Sequence, residues 1–487
     1  LNNPLKSLVG QTAIYGLPTI VGRLLNYFLV PLYTKKMAPS EYGVLSELYG
    51  LVAFFIVLLP LGMETAFFRY INQKDNKDEV FRNSFLTVLG FSLLFFIIVL
   101  LFNQSIASAL GYAQHSEFII ALALVVTIDA ITALPMAKLR AENKARRFST
   151  IHFLAIVVNI GLNFIIIFAL YDKANAMNAI FYILIANVLA SAVKIVGTYK
   201  EFIALKWTYN KELAIEMLKY SFPLVIAGFA GMINETLDRV MMKPLLTGAG
   251  YLKKEALTQV GIYSACYKLA MIVTIFLQAY RYAAEPFFFS QAKNKDRNKI
   301  YIKVMNYFIA AVCLVFLGVT LNIDIFKHFI RNEAYWTGLG VVPILLIANV
   351  FLGIYINQSI WYKLSGQTRF GAFIAIGGAI VTIAINLIFI PIYGFWAAAW
   401  ATLIVYGAQM IASYLLGQKY YPIKYNLRKF VLYFGAALLL FLMAYFIDLD
   451  PNEFSWRKFF FHNGLILLFI GLVWFIEKPQ PAKTNVQ

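Results

Sequence analysis

FSLLFFIIVLLF, from Phe91 to Phe102, is the stretch whose reading decides the fold: it carries no charge and a single hydroxyl. LVAFFIVLLPLG, from Leu51 to Gly62, has the same character. A helix needs roughly 20 apolar residues to cross the hydrocarbon core of a bilayer, and these runs approach that length with their apolar flanks. They are continuous, without the period-two alternation of a membrane barrel strand, so they read as helices. Composition agrees. Of 487 residues, 61% are hydrophobic, 16% aromatic and only 14% charged, whereas a soluble domain is about half apolar and about a quarter charged. The expected fold class is an all-α integral membrane protein.

Working outward from those runs, hydropathy places about fourteen transmembrane helices. They fall at roughly 10–33, 42–66, 82–102, 117–138, 149–170, 177–198, 220–242, 258–282, 300–321, 338–361, 370–391, 395–417, 429–447 and 459–476. The connections are short, and none is long enough to fold as a domain of its own. No cleavable signal peptide is evident, so the first span is expected to act as its own insertion signal. The net charge of +18 does not point to nucleic acid, because the basic residues sit between apolar spans. Counting residues at span edges with the adjoining loops, the termini and the even-numbered loops hold 28 of the 42 Lys and Arg, the odd-numbered loops 10. By the positive-inside rule both termini lie in the cytoplasm. Cys266 and Cys313 fall inside spans and argue for neither a disulfide framework nor a metal site; no cofactor or metal is expected.

The chain also repeats itself. Tyr15-Gly16-Leu17-Pro18 in span 1 resembles Tyr220-Ser221-Phe222-Pro223 in span 7. YGVLSELYGL from Tyr42 resembles VGIYSACYKL from Val260, matching Gly43 with Gly261, Ser46 with Ser264 and Tyr49 with Tyr267. Arg147-Phe148 matches Arg369-Phe370, and Asn163 then matches Asn386. Six spans separate the copies, an even number, so the repeat is parallel. This gives an N-lobe over 1–199 (spans 1–6), a C-lobe over 220–418 (spans 7–12), and spans 13 and 14 with a tail over 419–487. Between the lobes, KEFIALKWTYNKELAIEMLKY from Lys200 mixes polar and apolar residues, and 200–219 is expected to be an amphipathic linker helix on the cytoplasmic face.

Four basic residues stand within the spans: Arg23, Arg239, Lys268 and Arg281. A charge in mid-bilayer costs at least ~2.5–3.5 kcal/mol and marks a pathway or cavity by default. Arg23 and Lys268 lie deepest; Arg239 and Arg281 are nearer span ends, where they can snorkel. Together they suggest a cationic cavity between the lobes that holds an anionic headgroup, since a guanidinium suits phosphate oxygens. Acidic residues within spans are Glu47, Glu64, Asp129, Glu235 and Asp238. Glu235 and Arg239 are spaced for an intrahelical pair; Asp129, Glu235, Asp238 and Glu47 serve either as charge partners or in coupling to H+ or Na+. Amides at Asn26, Asn163, Asn234 and Asn386, among others, line the cavity or bond between helices. Pro18, Pro135 and Pro223 are expected to kink their helices.

LKSLVGQTAIYGLPTIVGRLLNYFLVPLYTKKMAPSEYG, from Leu5 to Gly43, resembles the start of bacterial polysaccharide flippases. These belong to the multidrug, oligosaccharidyl-lipid and polysaccharide exporter superfamily. The likeness rests on Gly22-Arg23, Pro31-Leu32-Tyr33-Thr34 and Glu41-Tyr42-Gly43, and the two six-helix lobes plus two helices extend it along the chain. The resemblance implies translocation of a polyprenyl-diphosphate-linked oligosaccharide from the cytoplasmic to the periplasmic leaflet of the inner membrane by alternating access. It implies that Arg23 faces the diphosphate, and that polysaccharide polymerase or chain-length proteins are partners alongside membrane lipid. Lipid II flippases of the superfamily usually carry further arginines in span 2, and this span has none before Arg69. A multidrug antiporter of the same fold would favour acidic residues in its cavity. A membrane glycosyltransferase would rest on Asp448-Leu449-Asp450 alone, and no G-x-x-x-x-G-K loop marks an ATP-driven pump. No enzymatic activity is expected.

Overall fold

In the computed structural model, which describes residues 22, 24, 25, 27–203, 207–292, 294–447 and 454–478, the described secondary structure is helical throughout. Arg23, Asn26, Pro18 and the Asp448-Leu449-Asp450 motif lie outside the described residues. The first helix, α1 (Leu29–Lys36), is the described end of the first span. Among the described residues thirteen further helices are long and apolar enough to cross a membrane, one for each of spans 2 to 14. They are α2 (Pro39–Tyr70), α3 (Lys77–Ala109), α4 (Ser116–Ala141), α5 (Ala145–Leu170), α6 (Lys173–Gly197) and α7 (Lys211–Gly248). There follow α8 (Lys253–Gln291), α9 (Arg297–Leu321), α10 (Val341–Leu364), α11 (Arg369–Tyr393), α12 (Phe395–Tyr420), α13 (Leu427–Phe446) and α14 (Trp456–Glu477).

Local chemistry sets the ends. Asn76, Asn210, Asn426 and Ser455 cap α3, α7, α13 and α14, each side-chain oxygen accepting the N–H three residues on. α2 starts at Pro39, and the Glu41 carboxylate reaches back to the Ala38 N–H at 2.9 Å. It breaks at Leu59–Gly62, where Gly62 adopts a φ of +64° that a side chain would resist. α4 and α7 instead continue through Pro135 and Pro223 as single helices.

The two lobes pack alike. In the first, α3 lies on α4, α5 on α6 and α4 on α6; six helices later α9 lies on α10, α11 on α12 and α10 on α12. α13 and α14 stand outside this pattern, both packed on α9. The lobes meet where α2 crosses α8. At the crossing the repeat becomes reciprocal contact. A Cβ on Gly43 would lie 1.9 Å from the Leu257 carbonyl oxygen, and a Cβ on Gly261 would lie 1.9 Å from that of Pro39. Each glycine is the repeat counterpart of the other, and so are the two carbonyl residues. A pseudo-two-fold axis therefore runs through this contact. Only a residue without a side chain lets the backbones come so close.

The crossing sits at the end of the molecule that carries the odd-numbered loops, and further contacts close that end. The α9–α10 connection folds over it: the buried Tyr335 hydroxyl donates to the Met37 carbonyl at 3.0 Å, and the Arg331 N–H donates to Thr34 Oγ1 at 3.2 Å. Phe329 stacks on Tyr27 with centroids 4.3 Å apart.

The separate linker helix expected over 200–219 is not formed. A short helix covers Tyr199–Ile203, and from Lys211 the chain is already α7, which runs unbroken to Gly248. The physical reason is capping and docking. Asn210 caps α7 here, while its own N–H donates to Asn83 Oδ1 at 2.7 Å and Met217 packs fully buried. The first turns of α7 thus lie on α3 and on the end of α2, with Arg69 over the Tyr220 ring at 4.1 Å, while its later turns pack on α11.

Candidate functional site

Three groups of charges stand out inside the described helices, and their depth makes each a question of what compensates the desolvation.

The first group lies between the lobes, just inward of the glycine crossing. Arg239 projects from α7 against α2, its Cβ 4.0 Å from where a Gly50 Cβ would stand. Its guanidinium sits over the Tyr267 ring of α8 at 4.1 Å, a cation–π contact that is strengthened out of water. Its Nε and Nη2 are buried and meet no hydrogen-bond partner among the described residues. Lys268, the next residue along α8, is half-buried and close enough to Arg239 and Glu235 to interact with both charges. Among the described residues its ammonium makes no hydrogen bond or ion pair. The Glu235–Arg239 pair expected from the i, i+4 spacing is not made: Arg239 turns onto Tyr267, and the Glu235 side chain is exposed. Asp238, the residue before Arg239, accepts the Tyr263 hydroxyl at 2.5 Å and the Arg239 backbone N–H at 2.8 Å, and its charge acts on the Arg239 guanidinium.

The second group is a lock across the lobes at the closed end. Glu47 of α2 and Lys243 of α7 pair at 2.7 Å with side chains only 2% and 7% exposed. The Tyr112 hydroxyl donates to the same carboxylate at 2.6 Å, and Lys243 also donates to the Leu110 carbonyl at 2.6 Å. Lys253 of α8 reaches the Gly111 carbonyl beside it. Glu47 was legible as an intramembrane acid; Lys243 was not. It precedes Pro244, and the residue before a proline reads as a helix end. The helix in fact continues to Gly248.

The third group is internal to the N-lobe. Asp129 of α4 pairs with Lys194 of α6 at 2.8 Å, and the unpartnered Nδ1 of His152 is buried nearby. Arg140 pairs with Glu64 at the same end of the lobe. Lys194 was missed because a lysine in a last helical turn is counted with the loop. The hydrophobic boundary gives no sign that its stem reaches back to mid-span.

Of the two roles open to the amides, two residues take the helix-to-helix one. Asn163 accepts the Tyr33 hydroxyl at 2.6 Å and donates to the Asn159 carbonyl, and Asn234 accepts Thr382 and donates to the Ala375 carbonyl. Both therefore bond helix to helix within their lobes. Asn386, the counterpart of Asn163, is fully buried with neither amide atom partnered among the described residues. No cluster of three or more His, Cys, Asp or Glu among the described residues could hold a metal ion.

This arrangement, two lobes closed at one end over an interlobe pair of cations, can be set beside known proteins. The sequence profile of a family described as "Polysaccharide biosynthesis protein" matches residues 8–291. Lsg locus putative protein 1 of Haemophilus influenzae is 21% identical over 297 residues, covering 58% of this chain and 67% of the relative. Among solved structures, lipid II flippase MurJ in an inward closed conformation superposes with a TM-score of 0.73 at 14% identity, covering 95% of this chain and 99% of that one. An inward-facing multidrug resistance MATE family transporter of the MOP superfamily gives 0.65 at 14% identity, covering 84% and 97%. At such identities these likenesses speak for the fold, and the profile match speaks for the family. The chain, a multi-pass membrane protein on the fold that MurJ and the MATE proteins share, belongs to the polysaccharide biosynthesis protein family.

Proposed function

We propose that this protein flips a polyprenyl-diphosphate-linked oligosaccharide from the cytoplasmic to the periplasmic leaflet of the bacterial inner membrane, for assembly of a surface polysaccharide. The observation that carries the reading is the interlobe cation couple: Arg239, with two buried guanidinium nitrogens unsatisfied, beside Lys268, whose ammonium meets no partner among the described residues. Two unsatisfied cations at that depth are costly unless something anionic visits them. A diphosphate supplies charge and several acceptor oxygens, and a guanidinium fork suits it. Arg23 is proposed to join them from the first span. The sugar chain would follow the headgroup between the lobes while the prenyl tail stays in lipid.

Both termini lie in the cytoplasm on this reading, which makes the end locked by Glu47, Lys243 and the α9–α10 connection the periplasmic one. The conformation is then inward-facing, and transport requires that lock to open. The energy would come from an ion gradient or the membrane potential, and the sugar repeat would be passed on to a polymerase. The test is flipping of a fluorescent polyprenyl-diphosphate oligosaccharide in proteoliposomes, comparing wild type with Arg23→Ala, Arg239→Gln and Lys268→Ala. Loss of flipping in folded variants supports the reading. Wild-type rates in all three would reduce these residues to structural roles.

A further inference from the structure

A cavity of about 200 Å³ lies outside the lobe interface, at the even-loop end of the C-lobe, where α9, α10 and α12 meet the start of α13. Ile354 and Ile411 contribute to its apolar walls. Two hydrogen-bonding groups on the lining are left over. Gln358 is 95% buried and its Oε1 has no partner among the described residues; the Tyr425 hydroxyl is buried and equally unpartnered. The Asn306 amide lines the same space. Each such atom costs about 1–3 kcal/mol if it stays unsatisfied, so the cavity is built for something that hydrogen-bonds.

Its chemistry narrows what that is. No Lys, Arg, Asp or Glu is among the lining residues, so a phosphate, carboxylate or ammonium would be stranded there without a counter-charge. The walls, mostly Met, Ile, Leu, Phe and Tyr side chains, are too apolar for a sugar, whose many hydroxyl groups would go unpartnered there. An acceptor in Gln358 and a phenol in Tyr425 are both satisfied by hydroxyl groups. On one side the cavity is bordered by the apolar side chains of Ile411 and Leu427, 55% and 49% exposed. We propose that this is a binding site for an uncharged lipid alcohol: its hydroxyl bonds to Gln358 and Tyr425, and its hydrocarbon chain leaves for the bilayer between Ile411 and Leu427. The proposal stands apart from the interlobe site.

The experiment uses the full chain in phosphatidylcholine nanodiscs with a diazirine-bearing decanol as photoprobe, read by peptide mapping. Labelling should concentrate on the segments holding Asn306, Ile354–Gln358 and Tyr425–Leu427. Unlabelled decanol should compete, whereas decane and decyl phosphate should compete far less. Gln358→Leu or Tyr425→Phe should each weaken competition by roughly fivefold, the effect of one lost hydrogen bond. A long-chain polyprenol and a diacylglycerol, added as separate competitors, identify the natural source, and failure of both overturns the proposal. So does equal competition by decane or decyl phosphate, or labelling spread evenly over lipid-facing helices such as α3. The competition arms use wild-type protein and so do not depend on any variant folding.

Discussion

Adding one methyl group at the lobe crossing should unlock the closed end of the molecule. In Gly43→Ala the new Cβ would stand 1.9 Å from the Leu257 carbonyl oxygen, where ordinary contact begins at 3.4 Å. The obstacle is backbone, so no side chain can rotate away; the helices must separate by about 1.5 Å. Glu47 lies one turn further along α2, and a rigid shift of that size stretches its 2.7 Å pair with Lys243 to about 4 Å, beyond hydrogen-bond reach. Overpacking costs ~1–3 kcal/mol and the weakened pair adds to it. A total of about 3 kcal/mol moves the closed-to-open ratio roughly a hundredfold. The assay is labelling of Ser264→Cys, on the same α8 face as Gly261, by a membrane-impermeant maleimide; Ser264 is 3% exposed, and Cys266 and Cys313 are buried. Gly43→Ala should make that thiol reactive, and Gly261→Ala should do the same, because the contact is reciprocal. A thiol that stays shielded in both variants, with unchanged thermal stability, would refute the reasoning.

Removing one partner of the lock should cost more than removing both. Lys243→Met strands a buried carboxylate and should lower stability by ~3–5 kcal/mol, with Glu47→Gln/Lys243→Met recovering most of it in thermal unfolding. In the N-lobe, Lys194→Met should be similarly rescued by Asp129→Asn, because the two side chains form one ion pair 2.8 Å apart. Asp324, in the α9–α10 connection, lies 2.7 Å from Lys458 and 3.2 Å from Lys327. Burial pushes its carboxyl pKa up, but the hydrogen bonds and charges of the two lysines outweigh burial and hold it below the ordinary carboxylate range. Its contribution to stability is therefore complete above pH ~4, the unfolded value, and is lost as pH falls through the lower folded value. Acid unfolding below pH 4 should begin earlier in wild type than in Asp324→Asn, measured relative to each protein's own stability at neutral pH.

How much was legible follows from which forces act locally. Spans 2 to 14 could be read directly, because a bilayer demands long apolar runs and the loops between them are charged. The repeat was legible too, and Gly43 with Gly261, matched in sequence, proved to touch. What failed was chemistry that depends on partners far away in the chain. Glu235 and Arg239 have the spacing of a pair, yet Tyr267 on another helix takes the arginine. Lys243 and Lys194 looked like loop residues because lysines at the edges of spans are counted with the adjoining loops. Only tertiary packing reveals that their stems turn inward to Glu47 and Asp129. The linker was misjudged for a related reason: its amphipathic pattern suits an interfacial helix, but Met217 and Ala214 bury it against the N-lobe as the first turns of α7.

The most direct test of the account is a side-by-side transport measurement in the same proteoliposomes: leaflet exchange of a fluorescent polyprenyl-diphosphate oligosaccharide, and uptake of a fluorescent organic cation. The interlobe cations Arg239 and Lys268 predict that the diphosphate lipid is flipped and the cation is not. Uptake of the cation without flipping of the lipid would contradict the account and assign the exposed Glu235, not its basic neighbours, to substrate binding.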